Sequence, residues 1–164
     1  MKKKRLFKPH PINVESVHPR QLSIEALVPP SQDVDVDDLP LTISVGHSEY
    51  DAKRKAFSAT LRLQTPKNTP QAEELPFSLK VEIWAAFSVD ETRFSKDDVQ
   101  DWATRNAPFV LYPYLREHVY ALTARCGFRP LLLPLVEVPT FKLAPQKKTR
   151  TATKPVSKKT TKKD

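Results

Sequence analysis

Phe77-Ser-Leu-Lys-Val-Glu-Ile-Trp-Ala-Ala-Phe-Ser-Val89 alternates without a break. Phe77, Leu79, Val81, Ile83, Ala85, Phe87 and Val89 fall on one side, and Ser78, Lys80, Glu82, Trp84, Ala86 and Ser88 on the other. Period two over this length, in β-branched and aromatic residues, predicts a strand with a dry face and a wet face rather than a helix. Three shorter runs upstream repeat the pattern: Leu22, Ile24, Ala26 and Val28 within residues 21–29; Leu39, Leu41, Ile43 and Val45; and Phe57, Ala59, Leu61 and Leu63. Their connections are short and punctuated by Pro29, Pro30, Pro66 and Pro70. A parallel pair needs a crossover of about a dozen residues or more, so the four runs predict an antiparallel sheet.

Helical signals follow Val89. Ser95, with Asp98 three residues on, opens a short acidic helix ending near Arg105. Leu111, Leu115, Val119, Leu122 and Cys126 then form one helical stripe, with Arg125 in the last turn and Gly127 as the stop. Proline is tolerated in a first turn, so Pro113 predicts that this longer helix starts near Tyr112. Residues 128–141 are apolar but broken by Pro130, Pro134 and Pro139, which predicts an extended segment lying over the fold. The expected fold class is α+β: a four-stranded antiparallel sheet with one long and one short helix on one face.

The chain of 164 residues carries a formal charge of +8, but that charge is unevenly placed. Residues 1–8 contribute +5 and residues 142–164 contribute +8, which leaves −5 on the body. The expected organisation is a basic N-terminal extension (1–20), one domain (21–141) and a disordered Lys-rich tail (142–164). Cys126 is the single cysteine, which excludes an internal disulfide and fits a reducing compartment. The basic start lacks the apolar stretch of a secretory signal, and no window has the length of a membrane span, so the reading is of a cytoplasmic protein with no membrane insertion.

Four strands at about 4.8 Å spacing make a sheet roughly 15–20 Å wide, whereas one helix is about 10–12 Å across. The long helix cannot roof the dry face, and a bare apolar patch on that scale implies a partner. Tyr112, Tyr114, Arg116, Tyr120 and Thr123 lie away from the Leu stripe, and Tyr and Arg are enriched at interfaces. These five residues are the expected oligomer interface.

The stretch Asn106-Ala-Pro-Phe-Val-Leu-Tyr-Pro-Tyr-Leu-Arg-Glu117, followed by Leu122-Thr123, Arg125, Gly127-Phe128, Pro130 and the apolar residues 131–134, is similar to the signature of SecB-type protein-export chaperones. The strand ending at Val89 resembles that family's last strand, and residues 22–29 resemble its first. The resemblance implies a SecB-like fold assembling as a dimer of dimers, with the long helices at the subunit interface. Unfolded polypeptide clients would lie in apolar grooves. Carried onto this chain, the client-binding candidates are Leu41, Ile43, Trp84, Phe128, Leu131 and Leu132. Two departures stand out. Prolines and the Lys-rich tail replace the family's second amphipathic helix, and Gln21 stands where one of two acidic residues facing the SecA motor is expected, although Glu25 matches the other. Both a SecA-type translocase and an antitoxin of a toxin–antitoxin pair therefore remain open as partners.

No HExxH, GxSxG or cysteine pair occurs, and His10, His18, His47 and His118 are scattered without ligand spacing. With only two glycines there is no glycine-rich phosphate loop. No enzyme and no cofactor or metal is expected. The rival reading is a nucleic-acid-associated protein binding through its Lys-rich tails, which would add weak, salt-dependent affinity for phosphate backbones.

Overall fold

The computed structural model describes residues 8–67 and 70–136. Four strands, β1 (Ile12–Ala26), β2 (Thr42–His47), β3 (Ala56–Gln64) and β4 (Phe77–Val89), form one sheet in the order β1-β4-β3-β2. Every neighbouring pair is antiparallel, as the short connections require. The short helices α1 (Pro70–Glu73) and α2 (Val99–Arg105) and the long helix α3 (Ala107–Arg125) complete the regular structure.

β4 is central because it is apolar along one whole face. Phe77, Leu79, Val81, Ile83, Ala85, Phe87 and Val89 are all buried. Helix α3 lies over β3 and β4 and closes this core with Ala107, Leu111, Leu115 and Val119, which recur every four residues and are fully buried. Ser95 caps a 3₁₀ turn (Lys96–Asp98) by accepting a bond from the Asp97 amide, and α2 follows it directly. Trp102 of α2 then sets its ring edge-on to Phe57 and Phe87, which stack on each other at 4.9 Å.

Two expectations need correction. The first strand begins at Ile12 rather than near Gln21, so it crosses the expected boundary between extension and domain at residues 20 and 21. Bulges at Glu15 and Arg20 explain why: Ile12 and Val14, then Val17 and Pro19, then Leu22, Ile24 and Ala26 all pair with dry-face residues of β4. Each extra residue shifts the alternation by one and hides the strand from a period-two reading. The long helix begins at Ala107, not Tyr112, and Pro113 lies inside it. Proline there withholds one amide from the helical ladder, but Pro113 is on the exposed side, where water can satisfy the freed carbonyl.

Candidate functional site

The dry face is buried in its middle and open at both sides. Leu22, Val81, Leu63 and Ile43 form one row across the sheet; Val81 and Leu63 are fully buried, whereas Ile43 at the β2 end is 46% exposed. Pro19, Ile83, Leu61 and Val45 form the next row, and Val45 is 48% exposed. On the β1 side Val14 and Leu22 are exposed in the same way. A cleft of about 380 Å³ opens beside Val14, walled by Trp102, Phe109 and Val110. One helix covers two strands, as its diameter dictates, and the outer strands keep their apolar side chains in contact with water.

Both outer strands also have unpaired backbone. The Ser48 amide donates to the Ser58 carbonyl at 2.9 Å, and the Thr65 amide to the Leu79 carbonyl at 3.0 Å, which together fix the parity of the β3 ladders. Thr42, Ser44 and Gly46 therefore bond to β3, while Ile43, Val45 and His47 turn their N–H and C=O groups to the open edge. On β1 the corresponding edge is interrupted by the two bulges and by Pro19, which has no amide proton. β2 has neither device within Thr42–His47.

The segment after α3 is a strap over the core. Phe128 is fully buried with its ring 5.0 Å from that of Phe77, and Leu131 and Leu133 are buried beside it. Between them Leu132 points outward, 60% exposed. Three α3 side chains hold the strap: the Tyr112 hydroxyl donates to the Pro134 carbonyl, Arg116 Nε to the Leu133 carbonyl at 2.8 Å, and Thr123 Oγ1 accepts from the Leu131 amide at 2.9 Å. Burial pushes the Tyr112 phenol above its ordinary pKa, against a smaller opposing pull from the Arg116 charge. At the other end Gln32 Nε2 donates to the Gly127 and Phe128 carbonyls. Gly127 takes φ 91°, and a side chain there would also press on Pro30.

The expected residues therefore separate. Phe128 and Leu131, placed in a client groove, belong to the core, because the strap turns alternate side chains inward. Tyr112 and Thr123, placed at an oligomer interface, are buried within the protomer, and Arg116 is half-buried with its Nε committed to the strap. Tyr114 and Tyr120 are exposed. Ile43 is exposed on the helix-bearing side, Leu132 is exposed on the strap, and Leu41 is half-buried against the core. Trp84 stands apart, on the wet face. Sequence reasoning took Val45 only as a strand residue. Its pairing with Leu61, one row from Ile43, was the available signal that it belongs with the exposed flank.

Among the described residues no helix is long and apolar enough to cross a membrane, and no group of His, Cys, Asp or Glu side chains could hold a metal ion. The Lys-rich tail and all of the basic start except Lys8 lie outside the described residues.

Three comparisons bear on this geometry. A 63-residue stretch is 35% identical to the uncharacterized protein MJ0357 of Methanocaldococcus jannaschii, covering 38% of this chain and 39% of that protein. A 67-residue stretch is 33% identical to the protein-export protein SecB of Ehrlichia canis, covering 37% of this chain and 38% of the relative. The chain thus aligns with about two-fifths of the length of these relatives. Among solved structures, the fold matches the Mycobacterium tuberculosis SecB-like chaperone Rv1957, determined in complex with a ChAD peptide from the Rv1956 HigA1 antitoxin. The TM-score is 0.54 at 21% identity, over 79% of this chain and 93% of that one. The family described as preprotein translocase subunit SecB matches residues 7–144, which takes in every described strand and helix and the strap. On that match, this chain belongs to the SecB family.

Proposed function

We propose that this protein is a holding chaperone, not an enzyme, and that it binds non-native polypeptides in extended form along the uncovered flank of its dry face beside β2. The observation that carries the reading is the coincidence, at Ile43 and Val45, of exposed apolar side chains and outward-turned backbone groups. An extended client satisfies both at once, because its amides pair with β2 while alternate side chains cover the apolar row. Leu132, exposed on the strap, is a further apolar candidate for client contact, and Leu41 lies just ahead of the strand. Kinship with SecB export proteins and structural likeness to a chaperone that holds an antitoxin peptide support the same reading. Both an exported precursor and an antitoxin are clients of the required kind, since each presents an unfolded, partly apolar segment.

The test is suppression of aggregation. In light scattering during refolding of an aggregation-prone client, the double variant Ile43→Lys/Val45→Lys is expected to need at least ten times more protein than wild type for equal protection. Unchanged protection would end the proposal. Because both side chains are already half in water, the unfolding midpoint should move little.

Self-association belongs to the same proposal. Val14 and Leu22 on the β1 flank, with Tyr114 and Tyr120 on the outer side of α3, leave apolar and aromatic surface that a second copy can cover. A dimer of dimers is expected in sedimentation velocity at micromolar concentration, and a lone protomer would overturn it.

A further inference from the structure

The two flanks of α3 face different edges of the sheet. Val110 shares the cleft beside β1 with Ile12 and Val14, so that flank of the helix looks toward β1. The strap is held instead by Tyr112, Arg116 and Thr123. Successive helical residues turn by about 100°, which sets Tyr112 about 160° from Val110, with the buried Leu111 and Leu115 between them on the sheet side. The strap therefore runs along the β2 side of α3. It also has a direction. α3 starts beside Val14 and Phe87 and ends where Phe128 meets Phe77, so the helix is antiparallel to β4, and the strap, passing from Thr123 back to Tyr112, runs parallel to β4 and hence to β2.

Apolar side chains are still in water where the described strap stops, with Leu135 82% exposed and Val136 42% exposed. The chain continues Glu137-Val-Pro-Thr-Phe-Lys-Leu143, and this stretch lies outside the described residues. Pro139, Phe141 and Leu143 recur at period two, the spacing of Ile43 and Val45. The SecB family match runs on to residue 144, so residues 137–143 go with the domain and the Lys-rich stretch after them does not. Seven extended residues reach about 23 Å. β2 lies one strand spacing, about 5 Å, beyond β3, so that reach is enough to turn back and run along its edge.

We propose that residues 137–143 are a tethered occupant of the client flank: they fold back along the open edge of β2, antiparallel to it, and set Pro139, Phe141 and Leu143 over Ile43 and Val45. A client must displace them, a consequence that rests on the reading of this flank as the client site. The tether keeps the segment at high local concentration, so weak contacts suffice to hold it. Pro139 keeps them weak. Directly opposed residues of an antiparallel pair share a face, so Pro139 falls at a position that should donate to β2 and has no amide proton to give. A client strand without proline makes the full ladder and wins the exchange.

The experiment uses the full-length chain and the double variant Phe141→Ser/Leu143→Ser. In hydrogen exchange followed by mass spectrometry, residues 42–47 are expected to exchange about tenfold faster in the variant than in wild type. A fluorescein-labelled peptide copying residues 135–145 should bind the variant at least ten times more tightly than it binds wild type, because the tethered copy no longer competes. Adding Val45→Pro to the variant should abolish that binding. The double variant should also protect an aggregation-prone client at about one third of the wild-type protein concentration. Equal exchange and equal peptide binding in the two proteins would overturn the proposal, and the client site would still stand if Ile43→Lys/Val45→Lys loses protection. Full protection by Ile43→Lys/Val45→Lys would remove the client site and displacement with it. Protection of residues 42–47 that disappears on dilution would assign the segment to a neighbouring copy and overturn the tether.

Discussion

Replacing Phe128 by Ala is expected to destabilise the fold by about 3–5 kcal/mol, because a fully buried ring packed on Phe77 is removed and the cavity cannot close completely. That is a large share of the roughly 5–15 kcal/mol that holds a domain together. In urea unfolding followed by tryptophan fluorescence, the midpoint of Phe128→Ala should fall steeply, whereas Leu132→Ala, four residues along the strap and largely in water, should leave it nearly unmoved. The contrast decides between two roles for the post-helix segment. A groove wall would lose client affinity and keep its stability, while a core residue loses stability first. An unchanged midpoint for Phe128→Ala would return the segment to the client surface.

Val45→Pro is the second large effect, and it falls on holding. The Val45 amide faces the open edge of β2, so proline there breaks no bond to β3, and an outward-facing edge amide is where strands tolerate proline. The same change removes a donor that an added client strand needs and puts a ring in the path of its backbone. Aggregation suppression should weaken at least tenfold, equivalent to about 1.4 kcal/mol of client binding. Val45→Thr keeps the amide and should hold clients nearly as well as wild type. Ser44→Pro supplies the opposite control, since it strikes the β2–β3 ladder itself and should lower stability. If Val45→Pro protected a client as well as wild type does, clients would be held by side chains alone and strand addition would be excluded.

Much of this architecture was legible in the sequence because single faces repeat without interruption. β4 could be read residue by residue, and the Leu111, Leu115, Val119 stripe marked the buried side of α3. The width argument also held, since the sheet outruns its helix on both sides. What escaped reading depended on contacts between distant residues. Bulges at Glu15 and Arg20 change the parity of β1, and only pairing with β4 shows that the three short phases are one strand. Pro113 argued for a late helix start, yet four fully buried side chains from Ala107 to Val119 outweigh one missing hydrogen bond. The strap residues 128–133 carry apolar side chains whichever way they face, so composition could not separate Phe128 and Leu131, which point in, from Leu132, which points out. Tyr112, Arg116 and Thr123 looked like interface residues for the same reason: polar groups on an apolar helix need partners, and here the strap's backbone provides them.

Because the chain's first strand pairs with its last, Ile12–Ala26 has no ladder partner until the ribosome has added Phe77, and no complete one until Val89. At synthesis rates of about 5–20 residues per second the delay lasts several seconds, during which a long β-prone ribbon is displayed beside those of neighbouring nascent chains. The shifts of alternation at Glu15 and Arg20 deny that ribbon one continuous apolar face, and Pro19 lacks an amide for pairing. The irregularities that obscure β1 on paper are also the ones that work against pairing between nascent copies.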